Sequence, residues 1–180
     1  MLHTIRRRPD GDAPGDAVDA LLECHRRIRH FTAVAAALPE ATTASAAEIA
    51  EAAAGVARYF AVALPLHSTD EEVSIAPRLL AHAPAEALRA ALAAMERQHD
   101  AIDATLASAL PRWRAVADDP ACLPAHAAAL RGLAARLAAQ WEEHLALEEA
   151  TIFPAMRALL PSSEMNVIQV EMRARRASPA

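Results

Sequence analysis

The pentapeptides HSTDE at 67–71 and HLALE at 144–148 decide how this chain is read. In each, a histidine precedes a glutamate by four residues, a spacing that on an α-helix stacks the two side chains on one face, one turn apart. An imidazole and a carboxylate so placed can reach a single metal ion. Two such turns, facing each other, make a two-metal site.

The surrounding sequence favours helix. The chain has 180 residues, enough for one domain with a continuous core. Only 4 are glycine, against many Ala, Leu, Glu and Arg, and no run alternates apolar with polar residues as a half-buried strand would. The predicted class is all-α. Lys and Arg number 18 against 23 Asp and Glu, for a net charge of −5, and no basic cluster is interleaved with aromatics. Nucleic acid is therefore not an expected partner. Arg6, Arg7 and Arg8 lead into Pro9, Asp10, Gly11 and Asp12, not into an apolar segment, so they do not form a signal peptide. No apolar run is expected to approach the roughly 20 residues of a membrane span. The expectation is a soluble, cytoplasmic protein. Cys24 and Cys122 have no paired spacing, which argues against a disulfide framework or a thiolate metal site. Cys24 precedes His25 directly, but one residue turns a helix by about 100°, so the two do not share a face and Cys24 is read as a core or interface residue.

Prolines and capping residues mark out the helices. Residues 1–15 read as a mobile leader, 16–160 as the helical domain, and 161–180 as a short terminal helix and tail. A first helix starts at Asp16 and ends at Leu38, before Pro39. A second opens at Ser45, with Glu48 at capping-box spacing, kinks near Pro65 and closes at Pro77. A third begins at Pro84 and reaches at least Leu110, before Pro111. The fourth runs from about Pro124 to Ile152 and stops at Pro154, and a terminal helix covers Ser162 to about Arg175. Four long helices with modest connections predict an up-and-down antiparallel four-helix bundle with a short extra C-terminal helix.

Steps of three and four along each helix pick out an inward stripe. The first carries Val18, Leu21, His25, Ile28, Thr32 and Ala35, and the second Ile49, Val56, Phe60, Ala63, His67, Glu71 and Ile75. The third carries Leu88, Leu92, Met95, His99, Ile102 and Leu106, and the fourth Leu130, Ala134, Leu137, Trp141, His144, Glu148 and Ile152. One histidine on an apolar face is more often a satisfied core residue than a ligand. Four, one per helix, are harder to dismiss, and core carboxylates at Glu71 and Glu148 need a compensating charge that metal ions would supply. Levels agree across the second, third and fourth helices. The first fits less well, because 13 residues separate His25 from Leu38 while 22 separate Ser45 from His67. Imidazole nitrogens and carboxylate oxygens without thiolate suit iron or manganese, and less specifically zinc. Four histidines and two glutamates do not saturate two six-coordinate ions, which leaves positions for water, O₂, peroxide or nitric oxide.

These residues resemble the hemerythrin-like family, the HHE cation-binding domains. That pattern is a lone His on the first helix, His-x-x-x-Glu on the second, His on the third and His-x-x-x-Glu on the fourth, matched here by His25, His67 with Glu71, His99, and His144 with Glu148. DEEVSIAP at 70–77 and LEEATIFP at 147–154 look like the family's acidic doublet, apolar residues and proline. The resemblance implies a non-haem di-iron centre, oxo- or hydroxo-bridged, that takes a small diatomic or peroxide ligand for sensing, scavenging or peroxide breakdown. One departure stands out. Where oxygen-carrying members have a second histidine one turn after that of the third helix, this chain has Asp103, open to reading as a monodentate ligand, a partner orienting His99, or a solvated residue.

Other residues take blander readings. Glu72 and Glu149 point about 100° away from the ligand carboxylates and are expected at a solvated rim or in helix-surface ion pairs. Trp141 and Phe60 are core walls, Tyr59 reaches the site only if the Pro65 kink turns it inward, and His3, His30, His82 and His126 belong to the surface. Two further functions compete with the leading one. One is a di-iron carboxylate enzyme oxidising an organic substrate or ferrous iron, and the other is a helical interaction protein with an empty site.

Overall fold

Asp16 starts the first helix through a reciprocal cap: the Asp19 N–H donates to its side chain at 2.9 Å, and the Asp16 N–H donates back to the Asp19 carboxylate at 3.2 Å. In the computed structural model, which describes residues 15–177, that helix is α1, Ala17–Ala37. The second, α2, is Ala46–Ala81, capped by Ser45 and Glu48 as expected. The third, α3, is Glu86–Asp118. Helix α4 spans 123–159, and α5 is Ser162–Ala177. No strand occurs among the described residues. The expected leader and the end of the expected tail lie at 1–14 and 178–180, outside the described residues.

Pro77, Pro111 and Pro154 are expected from the sequence to end helices and Pro65 to kink one, but the helices run on through all four. Pro65, Pro77 and Pro154 each lie just beyond a π-turn, at Tyr59–Ala63, Asp70–Ile75 and Glu148–Ile152. A proline has no N–H to give, and its ring collides with the carbonyl four residues back. In each case the residue before it donates to the carbonyl five back: Leu64 to Tyr59, Ala76 to Glu71, and Phe153 to Glu148. The wider turn makes room for the ring and the helix continues. It also shifts the phase of the inward stripe, so that Leu64 is buried and Ala63, expected inside, is exposed. Pro111 is carried inside α3. Losing a helical bond there costs about 3 kcal/mol, but beyond it Trp113 and Val116 are fully buried, and each contributes roughly 1.5–3 kcal/mol.

The apolar residues form two cores. One holds Ile28 of α1, Phe60 and Leu64 of α2, Ile102, Leu106 and Trp113 of α3, and Leu137, Trp141 and Leu145 of α4. The other holds Leu21 of α1, Ile75 and Leu79 of α2, Leu92 and Met95 of α3, and Ile152, Phe153 and Met156 of α4, with Met165, Ile168 and Met172 of α5 closing it. Along α1 the chain passes from the second core to the first, along α2 back, along α3 forward and along α4 back. In every case a histidine lies at the crossing. The level mismatch between α1 and α2 is absorbed by a 3₁₀ turn, Leu38–Glu40, which packs against α4 while α2 begins beyond the end of α1.

With Pro65 accommodated, α2 becomes long and apolar enough to cross a membrane by length and composition. This differs from the expectation of no such run. Its buried polar residues are His67 and Glu71, which meet the other long helices, and Asp70 and Ser74, which are covered by α5.

Candidate metal centre

Between the two cores, His25, His67, His99, His144, Glu71 and Glu148 meet, each 5% exposed or less. Their ligand atoms form two groups: His25, His67, Glu71 and Glu148 in one, and His99, His144, Glu71 and Glu148 in the other, with all atoms of a group within 4.8 Å of one another. Both glutamates belong to both groups. Glu71 places one oxygen 3.1 Å from His67 Nε2 on its own helix and the other 3.1 Å from His99 Nε2 on α3. Glu148 does the same, at 3.3 Å from His144 Nε2 and 3.0 Å from His25 Nε2 on α1. The His25 and His67 rings meet edge to face at 5.4 Å, and those of His99 and His144 lie 4.7 Å apart.

These short approaches are not hydrogen bonds. The four Nε2 atoms and all four oxygens of Glu71 and Glu148 are buried without a hydrogen-bond partner among the described residues. Eight orphaned polar atoms in one layer are costly unless something satisfies them together. Donors about 2.1 Å from one ion and at right angles to each other stand about 3.0 Å apart, close to the spacing seen. The residues fit divalent cations.

The outer nitrogens are held from behind by Glu72 and Glu149. These do stand at the rim, 46% and 33% exposed, with Glu149 also paired to Arg29 at 2.8 Å, but each reaches a ring nitrogen as well. Glu72 Oε1 accepts from His99 Nδ1 at 2.7 Å, and Glu149 Oε1 accepts from His25 Nδ1 at 2.8 Å. A carboxylate can only accept, so Nδ1 keeps its proton, and Nε2 is the nitrogen that would lose its own proton to a metal ion. Gln98 Oε1 plays this part for His144 at 3.2 Å. Each acidic doublet thus serves two helices: its first glutamate turns inward, and its second reaches the lone histidine of the neighbour. The rotation of about 100° between adjacent residues was visible in the sequence. What the second carboxylate faces depends on which helix stands alongside.

Burial dominates the electrostatics. It pushes the Glu71 carboxyl up, and with the repulsion of Glu71 it raises Glu148 to about 8. Burial and the other histidines push His67 well down, and burial with His99 and His25 lowers His144 to about 3. Burial opposes protonation of His99 too, but Glu71 and Glu72 outweigh it and hold His99 up at about 9. Metal ions would relieve this layer by replacing its protons.

Asp103 belongs to neither group and is exposed on α3. Glu72 occupies the place behind His99 that Asp103 was considered for. Tyr59 stacks on Phe31 at 4.1 Å and meets Phe60 edge to face at 5.3 Å. Phe153 lies 5.0 Å from His25 and Trp141 5.3 Å from His144, apolar walls for the layer. Phe60 stacks on Trp113 at 5.6 Å within the first core. Cys24 and Cys122 are free thiols, half-buried. His30 is exposed, His126 is half-buried, His82 pairs with Glu164 of α5 at 3.1 Å, and His3 lies outside the described residues.

The description "Hemerythrin HHE cation binding domain" belongs to the family model that matches residues 16–156. The chain belongs to the hemerythrin HHE family. The match covers α1 to α3 and most of α4, including all six converging residues, and stops before α5. No curated protein matches the chain.

Proposed function

We propose that this hemerythrin-family chain is a non-haem di-iron protein that takes O₂, nitric oxide or peroxide between its paired histidines, for sensing, scavenging or peroxide breakdown. The observation that carries this reading is the sharing of Glu71 and Glu148 between two ligand groups, an arrangement suited to two ions bridged by carboxylates. His25 and His67 would hold one ion, and His99 and His144 the other. Iron bound there supplies Lewis acidity and a change of oxidation state. Manganese or zinc would fit the same donors with different consequences.

The chain's own residues do the rest. Glu72, Glu149 and Gln98 keep Nδ1 protonated on three histidines and so present Nε2. Two histidines and two shared carboxylates per group leave room for a small ligand. Phe153, Trp141 and the cores on either side keep bulk water away. The reading includes an up-and-down four-helix arrangement, supported by the alternating order in which the helices visit the two cores. It also includes a cytoplasmic setting without nucleic-acid or membrane partners, supported by the net charge of −5 and by the free thiols.

The test is anaerobic loading with Fe(II) followed by stopped-flow mixing with O₂, nitric oxide or peroxide. Near-ultraviolet charge-transfer bands that appear with at least one of them, and fail to appear in Glu148→Ala, are expected. Loaded protein that stays spectrally silent toward all three would contradict the proposal.

A further inference from the structure

We propose that Arg175 and Arg176 of α5 are positioning residues of the metal centre, acting through Asp70 on the turn that aims Glu71; this rests on the metal reading above. Asp70 is fully buried. Its two oxygens accept from Arg175 Nη1 and from Arg176 Nη2, each at 2.6 Å. Arg175 also donates through Nη2 to Ser74 Oγ at 2.6 Å, and Ser74 Oγ donates to Glu171 at 2.5 Å. Asp70 and Ser74 both lie in the π-turn Asp70–Ile75, which contains Glu71 and Glu72. The turn that points one carboxylate into the site and the next at His99 is therefore gripped from outside by α5.

Two observations separate this grip from ordinary helix packing. The sister turn, Glu148–Ile152, forms without it: Leu147 stands where Asp70 stands in the second motif, and packs against an apolar core. A buried carboxylate is thus not needed to make such a turn. It is an expensive group that removing its cations would strand. Moreover, α5 lies beyond the residues matched by the family, which end at 156. The contact couples this chain's own C-terminal helix to one half of a family site. Side chains that orient ligands from outside typically change metal affinity by about 10–100-fold when removed.

The experiment titrates the full chain with Co(II) against a competing chelator. Asp70→Asn and the double variant Arg175→Ala/Arg176→Ala should weaken binding by about tenfold or more, shift the cobalt ligand-field bands, and shrink the rise in Tm on adding metal. Arg175→Lys/Arg176→Lys keeps both charges, is the variant least disturbing to the fold, and should recover part of the affinity. Ile168→Ala removes fully buried packing from α5 without touching a charge. It should lower Tm in metal-free protein while leaving cobalt affinity and bands as in wild type. Wild-type affinity in Asp70→Asn and the double alanine variant would overturn the proposal, as would an equal loss in Ile168→Ala, which would make the role purely structural. A wild-type chain that binds no cobalt would sink the metal reading and this inference with it.

Discussion

Replacing Glu72 or Glu149 by alanine removes the acceptor behind one histidine while leaving all six converging residues in place. A hydrogen bond to a charged group contributes about 1.5–3 kcal/mol, but Glu72 is 46% exposed and Glu149 33%, so water takes over part of the role. A value just under that range applies, about 1.4 kcal/mol, equivalent to a tenfold loss of metal affinity. The double variant should lose about tenfold at each site, about a hundredfold in the overall constant for binding two ions, because the two pairs, His99 with Glu72 and His25 with Glu149, serve different ligand groups. Fold stability without metal should fall at neutral pH in Glu72→Ala, because a lower His99 proton affinity is by linkage a loss of stability, and the difference from wild type should shrink above pH 9. Competition titration with Zn(II) and a chromophoric chelator gives the affinity, and thermal melts of metal-free protein give the control. The metal-free His99 also reports: its proton, lost at about 9 in the intact chain, should leave at lower pH in Glu72→Ala, as seen by imidazole NMR. Affinities within twofold of wild type in both single variants would refute the idea that the doublets orient the neighbouring histidines.

Three further outcomes are expected. Without metal, His99 at about 9 and Glu148 at about 8 both lie above their ordinary values of 6.5 and 4.5, so the stability they contribute is lost as pH rises toward 8–9. His144 at about 3 acts oppositely and costs stability as pH falls below 6.5. Melts should therefore show Tm of metal-free protein falling from pH 6.5 to 9, and the gain in Tm on adding metal growing over the same window. Trp113→Ala empties a fully buried site in the first core and should cost about 3–5 kcal/mol by denaturant unfolding, with metal stoichiometry unchanged. Ala83 has φ of +49° at the α2 to α3 turn; Ala83→Gly should stabilise the fold by about 1 kcal/mol, measured the same way.

Much of this architecture is legible in the sequence because one period governs it. The stripes on α1, α3 and α4 name residues that are buried, and each puts its histidine between apolar neighbours. The prolines misled for a local reason. Pro77 and Pro154 look like helix ends, and Pro65 like a kink, until the preceding turn widens, and nothing in the periodicity before them announces that. On α2 the same widening moves Leu64 inside in place of Ala63. The outer partners Glu72, Glu149 and Gln98 could not be assigned from spacing, since each acts on a histidine of another helix. Asp70 was hidden for the same reason: its partners lie at Arg175 and Arg176, more than a hundred residues away.

Elemental analysis of the full chain after anaerobic loading with Fe(II) and removal of loosely held metal is the most direct measurement. About two irons per chain are expected for a pair of carboxylate-bridged ions, with the content collapsing in His67→Ala and in Glu148→Ala. A wild-type content near zero, or one unchanged by both substitutions, would contradict a metal centre at these residues.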